Sequence, residues 1–458
     1  MQLVPSRPRP GRRARRVLVT VAVLLTCAVP AAVAIRPVPL DWKHTVGDPS
    51  VVKTTKNYVV IATGAKVNRA LSKNGKVWKW KSSALPNLPS WAKVGGGDIW
   101  AADMEKVGSR YVLYFAAPVK GKTGTSRCIG VATSSSAKGT FVPVGTAPLV
   151  CPSTFKSVPT AGDRVIDQSV LDGYTSAVQS QAAASRTWAE CKSSAASPTT
   201  SVPTSPTTGP TSGTSSTSSA TTSTSPSQTG SPTPTGAPTS TPPVTGPTVY
   251  PDTCGPSPSA KPTKPATPPN VIGAIDPSFF LDSDGTPYLL YKTDGRPSSI
   301  RILKLSADGL HPAAGAYSEE LVDDAGVLEN PVMVERDGIY YLFNSYGDYS
   351  RCSYATVWRA SGSLHDWSGS PAHSLLTRKS THKLCGPGGA DVLVQPKKTT
   401  MYFEAWTCNR SYKPCGAHFW AYGRKYERKH PVRALYAVKL GFANGAPYVK
   451  KYLKGSKH

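Results

Sequence analysis

Residues 274–291 read AIDPSFFLDSDGTPYLLY, a pattern typical of a β-hairpin. An apolar run is followed by the turn residues Ser283, Asp284 and Gly285, and an aromatic-rich run returns after them. The first run begins unusually, with Asp276 and a proline where a buried strand should start. The same Asp-Pro-Ser tripeptide occurs at Asp48, in GDPSVVK. The two copies indicate an internal repeat.

The repeat unit consists of an acidic residue, a short apolar run, a turn and an aromatic-rich second strand. In its five copies, the first aromatic residue of the return strand follows the acid by 10, 8, 12, 11 and 11 positions. Successive copies are 55, 173, 53 and 62 residues apart, so three of the four steps agree. The acids that open the copies are Asp48, Asp103, Asp276, Glu329 and Asp391.

A period of 50–60 residues that opens with a hairpin is typical of a four-stranded propeller blade. Because five copies are present and no helical pattern of useful length competes with them, we predict an all-β fold, a five-bladed β-propeller. The innermost strand of each blade lines the central channel. An acid at the start of every innermost strand should therefore point towards the axis.

The long step between the second and third copies contains a low-complexity segment, residues 193–269. Its larger part, residues 193–248, has no charged and no aromatic residue. Such a composition cannot bury enough apolar surface to offset chain entropy, so we predict a disordered Ser/Thr/Pro-rich insertion. Blades 1 and 2 and the start of the insertion then occupy residues 35–192, and blades 3–5 occupy residues 270–458.

Residues 1–34 have the features of a signal peptide. A basic segment, RPRPGRRARR, precedes an apolar stretch that ends in the small-x-small sequence AVA at residues 32–34. We therefore expect a secreted protein. The alternative is a membrane anchor formed by an uncleaved signal, because residues 17–34 are nearly long enough to span a bilayer.

Eight cysteines lie outside the signal peptide. An even number in an exported chain indicates disulfides, and no cysteine or histidine spacing indicates a metal site. Sequence alone does not fix the connectivity, but pairing of neighbours gives plausible local loops. The pairs expected on this basis are Cys128–Cys151, Cys191–Cys254, Cys352–Cys385 and Cys408–Cys415.

The formal net charge is +26 at pH 7, and removal of the six arginines of the signal peptide, which has no acid, leaves +20. Such a surface favours anionic surroundings. No nucleic-acid-binding motif is present and export argues against nucleic acid, so an anionic cell envelope or an acidic polysaccharide is the better hypothesis. A basic surface that is merely solvated is the alternative. We expect a monomer.

The motifs at the starts of the strands resemble glycoside hydrolase family 43. They are DPS at residues 48–50, WAAD at 100–103, IDPSFF at 275–280 and ENPVMVERDGIYYLFNS at 329–345. The resemblance covers the repeat array from about Asp48 to the C-terminus, apart from the insertion. It implies a five-bladed propeller enzyme that acts on arabinans, xylans or some galactans.

By this resemblance, Asp48 is the general base, Glu329 the general acid, and Asp276 a third acid that orients the general acid and modulates its pKa. The chemistry itself needs one protonated carboxyl at the leaving oxygen and one carboxylate that activates water. Blades 1 and 4 are not neighbours in a ring of five, so their carboxyls should be about 6.5–9.5 Å apart, which suits inversion. We interpret Asp103 and Asp391 as strand-end caps that bond local backbone N–H groups.

Three positions depart from the family pattern. Gly389, in CGPGGADV, stands where many relatives have a histidine that helps to hold a metal or a water molecule. No metal or other cofactor is therefore expected to be required, and a channel calcium is in doubt. Ala102 and Gly47 stand where proline and histidine are usual, and both changes leave the acids untouched.

Sugar rings pack against aromatic faces, so we expect substrate contacts from Trp100, Tyr346 and Trp406. The leading hypothesis is a secreted inverting glycosidase that cleaves an arabinose- or xylose-containing polysaccharide or oligosaccharide. The alternative is a catalytically inactive propeller that binds carbohydrate at the cell envelope. The basic charge and the missing histidine favour the alternative, and the three acids oppose it.

Overall fold

The structure, a computed structural model, describes residues 36–95, 97–122, 126–152, 163–165 and 270–455. The predicted signal peptide, the predicted insertion and the expected Cys191–Cys254 pair lie outside these residues. The described part of the chain forms five separate β-sheets. In each sheet, the first three strands pair in sequence order and in antiparallel fashion, as in the blades of a propeller.

The strands of the first two blades lie before the insertion. Blade 1 contains β1 (Ser50–Lys53), β2 (Tyr58–Ala62), β3 (Asn68–Ser72) and β4 (Lys79–Lys81). Blade 2 contains β5 (Trp100–Val107), β6 (Arg110–Pro118), β7 (Arg127–Ser134), β8 (Val142–Pro143), β9 (Val150–Pro152) and β10 (Asp163–Val165). Blade 2 departs from four strands because β8 and β9 both pair with β7, and β10 pairs in parallel with β9.

The other three blades follow residue 269. Blade 3 contains β11 (Asn270–Leu281), β12 (Pro287–Arg296), β13 (Ser298–Lys304) and β14 (Glu319–Asp324). Blade 4 contains β15 (Leu328–Arg336), β16 (Ile339–Tyr346), β17 (Ala355–Ser361) and β18 (His373–Leu376). Blade 5 contains β19 (Cys385–Gln395), β20 (Lys398–Thr407), β21 (Val432–Ala443) and β22 (Ala446–Tyr452), with a short helix, α1 (Arg424–Glu427), between β20 and β21.

The innermost strands close a ring. They contact one another in the cyclic order β1, β5, β11, β15, β19 and back to β1. Aromatic and β-branched side chains fill the spaces between the blades. For example, Tyr114 of blade 2 stacks on Phe279 of blade 3 with ring centroids 6.0 Å apart. The prediction of a five-bladed all-β propeller is confirmed, and residues 166–269 of the sequence fall between the last described strand of blade 2 and the first strand of blade 3.

Local features read from the sequence are also present. The hairpin of residues 274–291 is formed by β11 and β12, and Gly285 adopts φ 84° in its turn, a conformation that glycine allows at little cost. Three of the expected disulfides, Cys128–Cys151, Cys352–Cys385 and Cys408–Cys415, are present. Among the described residues, α1 is a single turn, and no helix has the length and apolarity needed to cross a bilayer.

Four of the five acids that open the repeats, Asp48, Asp103, Asp276 and Asp391, line a small cavity where the innermost strands meet, but the acids do not occupy equivalent positions in their strands. The residue that turns the backbone into the channel has positive φ in all five blades, but it is acidic in only two of them. These residues are Asp48 (φ 50°), Ala101 (φ 40°), Asp276 (φ 53°), Asn330 (φ 50°) and Gly389 (φ 54°). Glu329 lies one residue earlier than this position, and Asp103 and Asp391 lie two residues later. The acids define the repeat in the sequence, whereas the residue with positive φ marks the equivalent position of each innermost strand in the structure.

Asp103 and Asp391 hold neighbouring blades together. Asp103 accepts hydrogen bonds from Ser50 Oγ of blade 1 (2.8 Å) and from the backbone N–H of Phe279 in blade 3 (2.7 Å). Asp391 accepts bonds from the backbone N–H of Val51 in blade 1 and of its own neighbour Val392, both at 2.7 Å. The interpretation as acceptors of backbone N–H groups is therefore correct, but most of the partners are on other blades rather than local.

Candidate active site

A cavity of about 520 Å³ opens at the end of the channel where the innermost strands begin. All five blades contribute to its wall, and its size is within the range of small-molecule sites. Four of the six residues proposed from the sequence line it, namely Asp48, Asp276, Glu329 and Trp100. The ring of innermost strands therefore brings Asp48 and Glu329, which are 281 residues apart in the sequence, into one cavity.

The carboxylate of Asp48 is surrounded by donors. Thr63 Oγ1 donates to Oδ2 at 2.6 Å, Asn330 Nδ2 donates to Oδ1 at 3.3 Å, and Arg433 Nη2 lies 3.4 Å from Oδ2. The backbone N–H of Asp48 in turn donates to Glu404 Oε2 at 2.9 Å. An ionised carboxylate only accepts hydrogen bonds, so this set of partners orients Asp48 as a carboxylate facing the cavity.

Glu329 is held from two sides. The hydroxyl of Tyr354 donates to Oε1 at 2.7 Å, and Lys292 Nζ donates to Oε2 at 3.1 Å. The Tyr354 oxygen also lies 2.9 Å from Oδ1 of Asn330, whose amide reaches Asp48. Glu329 and Asp48 are thus connected through two intervening side chains.

Asp276 is buried and lines the same cavity as these two carboxyls. Its side chain accepts a bond from the backbone N–H of Asn330 at 3.1 Å. Burial raises the pKa of Asp276 to about 8, the charges of Glu329 and Asp48 add to this, and Lys292 opposes it. The protonated form of Asp276 is therefore favoured at neutral pH.

Arg433 supplies a positive charge at the base of the cavity. It is buried, and its Nη1 donates to Glu404 Oε1 at 3.0 Å. Although burial opposes the charged form, the carboxylates of Glu404 and Asp48 raise the pKa of Arg433 above its ordinary value. Glu404 is almost fully buried, so the Arg433 guanidinium is the charge that compensates it.

Gly389 offers no side chain to a metal at this end of the channel. Calcium takes six to eight oxygen ligands, and the described residues include no group of three or more His, Cys, Asp or Glu that could hold a metal. A Cβ atom built on Gly389 would lie 3.2 Å from both Asp48 Oδ1 and Glu404 Cδ, so the Glu404 side chain occupies the space next to Gly389.

The three aromatic residues proposed from the sequence lie in different environments. Trp100 lines the cavity, and the guanidinium of Arg127 stacks 3.2 Å above its ring centroid. Trp406 is only 9% exposed and donates its indole N–H to the Tyr349 carbonyl at 2.8 Å, so the expectation that it binds sugar is corrected: it packs beneath the cavity wall. Tyr346 is exposed but does not line the cavity, and its hydroxyl lies beside Gly326.

Several residues of the site were not identified from the sequence. They are Asn330, Lys292, Tyr354, Glu404, Arg433, Tyr349 and Tyr422. Asn330 could have been found, because it precedes a proline as Asp48 and Asp276 do. The others are single residues on later strands or loops of their blades and carry no local signal.

The comparisons with known proteins agree with this geometry. The family model of glycosyl hydrolases family 43 matches residues 42–172 and 257–426, about two thirds of the chain. The chain belongs to glycosyl hydrolases family 43. This family-43 protein is 33% identical over 78 residues to the extracellular endo-alpha-(1->5)-L-arabinanase 1 of Bacillus subtilis (strain 168), a match that covers 17% of the chain and 24% of that relative.

Solved structures share the fold of this family-43 protein at low sequence identity. The α-L-arabinanase of Cellvibrio cellulosa matches with a TM-score of 0.51 and 15% identity, over 90% of this chain and 98% of that one. An endo-1,4-beta-xylanase of Bacteroides thetaiotaomicron VPI-5482 matches with a TM-score of 0.50 and 15% identity, over 90% and 97% of the two chains. At this identity, the similarity establishes the propeller fold.

Proposed function

We propose that this family-43 protein is a secreted glycosidase that cleaves an arabinose- or xylose-containing polysaccharide or oligosaccharide with inversion. The observation that carries the proposal is the placement of Asp48 and Glu329 in one cavity, on blades that are not neighbours, joined only through Asn330 and Tyr354. Inversion requires carboxyls far enough apart to admit a water molecule beside the sugar, and placement on blades that are not neighbours supports such a separation.

In the proposed reaction, the sugar lies in the cavity with its glycosidic oxygen towards Glu329. Glu329 gives a proton to the leaving oxygen as the bond between that oxygen and the anomeric carbon breaks. Asp48 removes a proton from the water that attacks the opposite face of the sugar. Asp276 supports the donor, because its proximity disfavours a second negative charge beside Glu329.

The substrate class is supported by the relatives. The B. subtilis relative is named as an arabinanase and the structural relatives as an arabinanase and a xylanase. Export is supported by the basic and apolar segments of residues 1–34 and by the three disulfides.

Hydrolysis assays test the proposal. Residues 35–458 are incubated with 4-nitrophenyl α-L-arabinofuranoside, 4-nitrophenyl β-D-xyloside, linear arabinan and xylan, beside the variants Glu329→Gln and Asp48→Asn. Hydrolysis of at least one substrate, lost in both variants, supports the enzyme, and an inverted anomer in the first product seen by proton NMR supports the mechanism. Equal inactivity of all three proteins together with retention on a polysaccharide affinity gel would favour a binding propeller instead.

A basic surface favours a second role, contact with an anionic cell envelope. Residues 50–81 of blade 1 contain no acid, and neither do residues 393–400 of blade 5. At the end of the propeller away from the cavity, the hairpins of these two blades carry the lysines Lys53, Lys56, Lys73, Lys76, Lys397 and Lys398. Binding to anionic envelope fragments that weakens steeply with added salt would support this role, and salt-independent binding would contradict it.

A further inference from the structure

Two loops at the mouth of the cavity are fastened to each other. One joins β16 to β17 (residues 347–354), and the other joins β20 to β21 (residues 408–431). The backbone N–H of Ala421 donates to the carbonyl of Ser350 at 3.0 Å, and Arg351 and Trp420 form an isolated β-bridge. The loops therefore form one continuous piece of the cavity rim.

Disulfides and buried aromatic rings support this rim from below. Cys352–Cys385 ties the first loop to the start of β19, and Cys408–Cys415 closes the base of the second loop. The four half-cystines pack with Trp406 and Phe419, whose rings are 5.3 Å apart. A loop with its own small core and two covalent links holds its side chains in fixed positions.

The rim presents three aromatic rings, Tyr349, Trp420 and Tyr422, which we call the aromatic shelf. Trp420 is 38% exposed and Tyr422 is 62% exposed, while Tyr349 and Tyr422 line the same cavity as Asp48 and Glu329. The Tyr422 ring stands nearly perpendicular to Trp420 (81°, centroids 6.5 Å apart) and to Tyr349 (88°, 6.2 Å). The hydroxyls of Tyr349 and Tyr422 are hydrogen-bonded to each other.

The exposure of these rings is not explained by packing. A loop core already exists beneath them, yet Trp420 and Tyr422 project outwards from it. The guanidinium of Arg351 lies 4.5 Å from the Trp420 ring centroid and fixes that ring in place. Rigid aromatic rings beside a catalytic cavity provide the large apolar faces against which sugar rings pack.

We propose that the aromatic shelf is a distal sugar subsite, which binds a ring of the substrate chain beyond the sugars that flank the cleaved bond. This inference rests on the proposed function and extends it. The shelf is continuous with the cavity through Tyr349 and Tyr422, so a chain that is cleaved between Asp48 and Glu329 passes over it. The enzyme then takes oligomers and polymers in preference to single-sugar glycosides.

The test compares substrates of different length. The variants Trp420→Ala and Tyr422→Ala are assayed on linear arabinan, xylan and the two 4-nitrophenyl glycosides. The control is Tyr448→Ala, because Tyr448 is 42% exposed on the outer strand β22 of blade 5, outside the rim. We expect KM for the polysaccharide to rise about 5- to 20-fold in the shelf variants and much less for the aryl glycosides, with Tyr448→Ala like wild type. Equal effects on short and long substrates, or no effect on KM, would overturn the proposal.

A second measurement separates failure of the subsite from failure of the proposed function. If wild type hydrolyses none of the substrates, the same variants are run through native gels that contain arabinan or xylan. Retardation of wild type and Tyr448→Ala that is lost in Trp420→Ala and Tyr422→Ala would uphold the subsite without catalysis. Equal retardation of all four proteins, or retardation of none, would overturn it.

Discussion

Arg433 and Asp48 are 385 residues apart in sequence, yet Nη2 of Arg433 lies 3.4 Å from Oδ2 of Asp48. The contact joins the third strand of blade 5 to the start of blade 1 and places a fixed cation beside the proposed base. Arg433 is also the partner of buried Glu404. It therefore contributes both to the closure of the ring and to the charge balance of the site.

Replacement of Arg433 by methionine should lower both stability and activity. It leaves Glu404 buried without its cation, and breaking a buried ion pair costs about 3–5 kcal/mol of unfolding free energy. Urea denaturation measures this cost. The matched control is Arg336→Met, because Arg336 pairs with Asp337 on the surface, where both side chains are at least half exposed. Equal midpoints for the two variants would show that the buried pair does not stabilise the fold.

Gly389→Ala should damage the site more than the fold. The new Cβ would lie 3.2 Å from Asp48 Oδ1, in a backbone conformation with φ 54°. The control is Gly445→Ala, where φ is 70° and no heavy atom lies within 4 Å of the added Cβ. Both variants should lose about 1–2 kcal/mol of stability from the left-handed backbone. Only Gly389→Ala should also lose about 10- to 100-fold in kcat/KM. Similar kinetics for both variants would show that the added Cβ atom at position 389 does not disturb Asp48.

The raised pKa of Asp276 predicts a loss of activity at alkaline pH. Because burial raises the pKa of Asp276 to about 8, the carboxyl group keeps its proton below this pH and loses it above. A profile of kcat/KM against pH should therefore fall above about pH 8. In the Asp276→Asn variant, the pH at which kcat/KM falls should shift, because the Asp276 carboxyl is no longer present to titrate. If kcat/KM falls at the same pH in wild type and in Asp276→Asn, the fall is caused by another residue.

The same shift predicts how stability depends on pH. The folded pKa of Asp276, about 8, is above its unfolded value of about 4, so the stability that its neutral form contributes is complete below pH 4 and is lost as pH rises towards 8. Asp276→Asn should flatten the dependence of unfolding free energy on pH across this window. Parallel curves for wild type and Asp276→Asn would contradict the raised pKa.

Asp103→Ala should affect stability rather than chemistry. The substitution leaves the backbone N–H of Phe279 and the hydroxyl of Ser50 without their acceptor, which costs about 1–3 kcal/mol. Thermal denaturation should show the loss, while kcat of the folded protein stays within a few-fold of wild type. A large fall in kcat at unchanged stability would make Asp103 part of the reaction machinery.

The sequence was sufficient for features that depend on local pattern. The β11–β12 hairpin, the five-blade repeat and three disulfides between cysteines that are neighbours in sequence all follow from patterns along the chain. Asp48, Asp276 and Glu329 were selected because they open strands that converge on the axis. Their roles in catalysis remain predictions.

Features that depend on contacts between blades were missed. Arg433 lies in VRALYAV and Lys292 in YLLYKT, where each reads as an ordinary strand residue, because the carboxylates that they bind belong to other strands or blades. Tyr354 lies in a loop and is distinguished only by the Glu329 and Asn330 side chains around its hydroxyl. Trp406 was predicted to contact the substrate. Its position in the sequence does not show that a small core of loop residues covers it.

The most direct test of the central claim uses leaving groups of different acidity. Wild type, Glu329→Gln and Asp48→Asn are compared on one aryl glycoside with a 4-nitrophenolate leaving group and another with unsubstituted phenolate, on the sugar that wild type prefers. A general acid is needed mainly for the poorer leaving group. Glu329→Gln should therefore lose about 10²- to 10⁴-fold in kcat/KM on the phenyl glycoside and far less on the 4-nitrophenyl glycoside, while Asp48→Asn loses activity on both. Equal losses of Glu329→Gln on both glycosides would contradict its assignment as the acid.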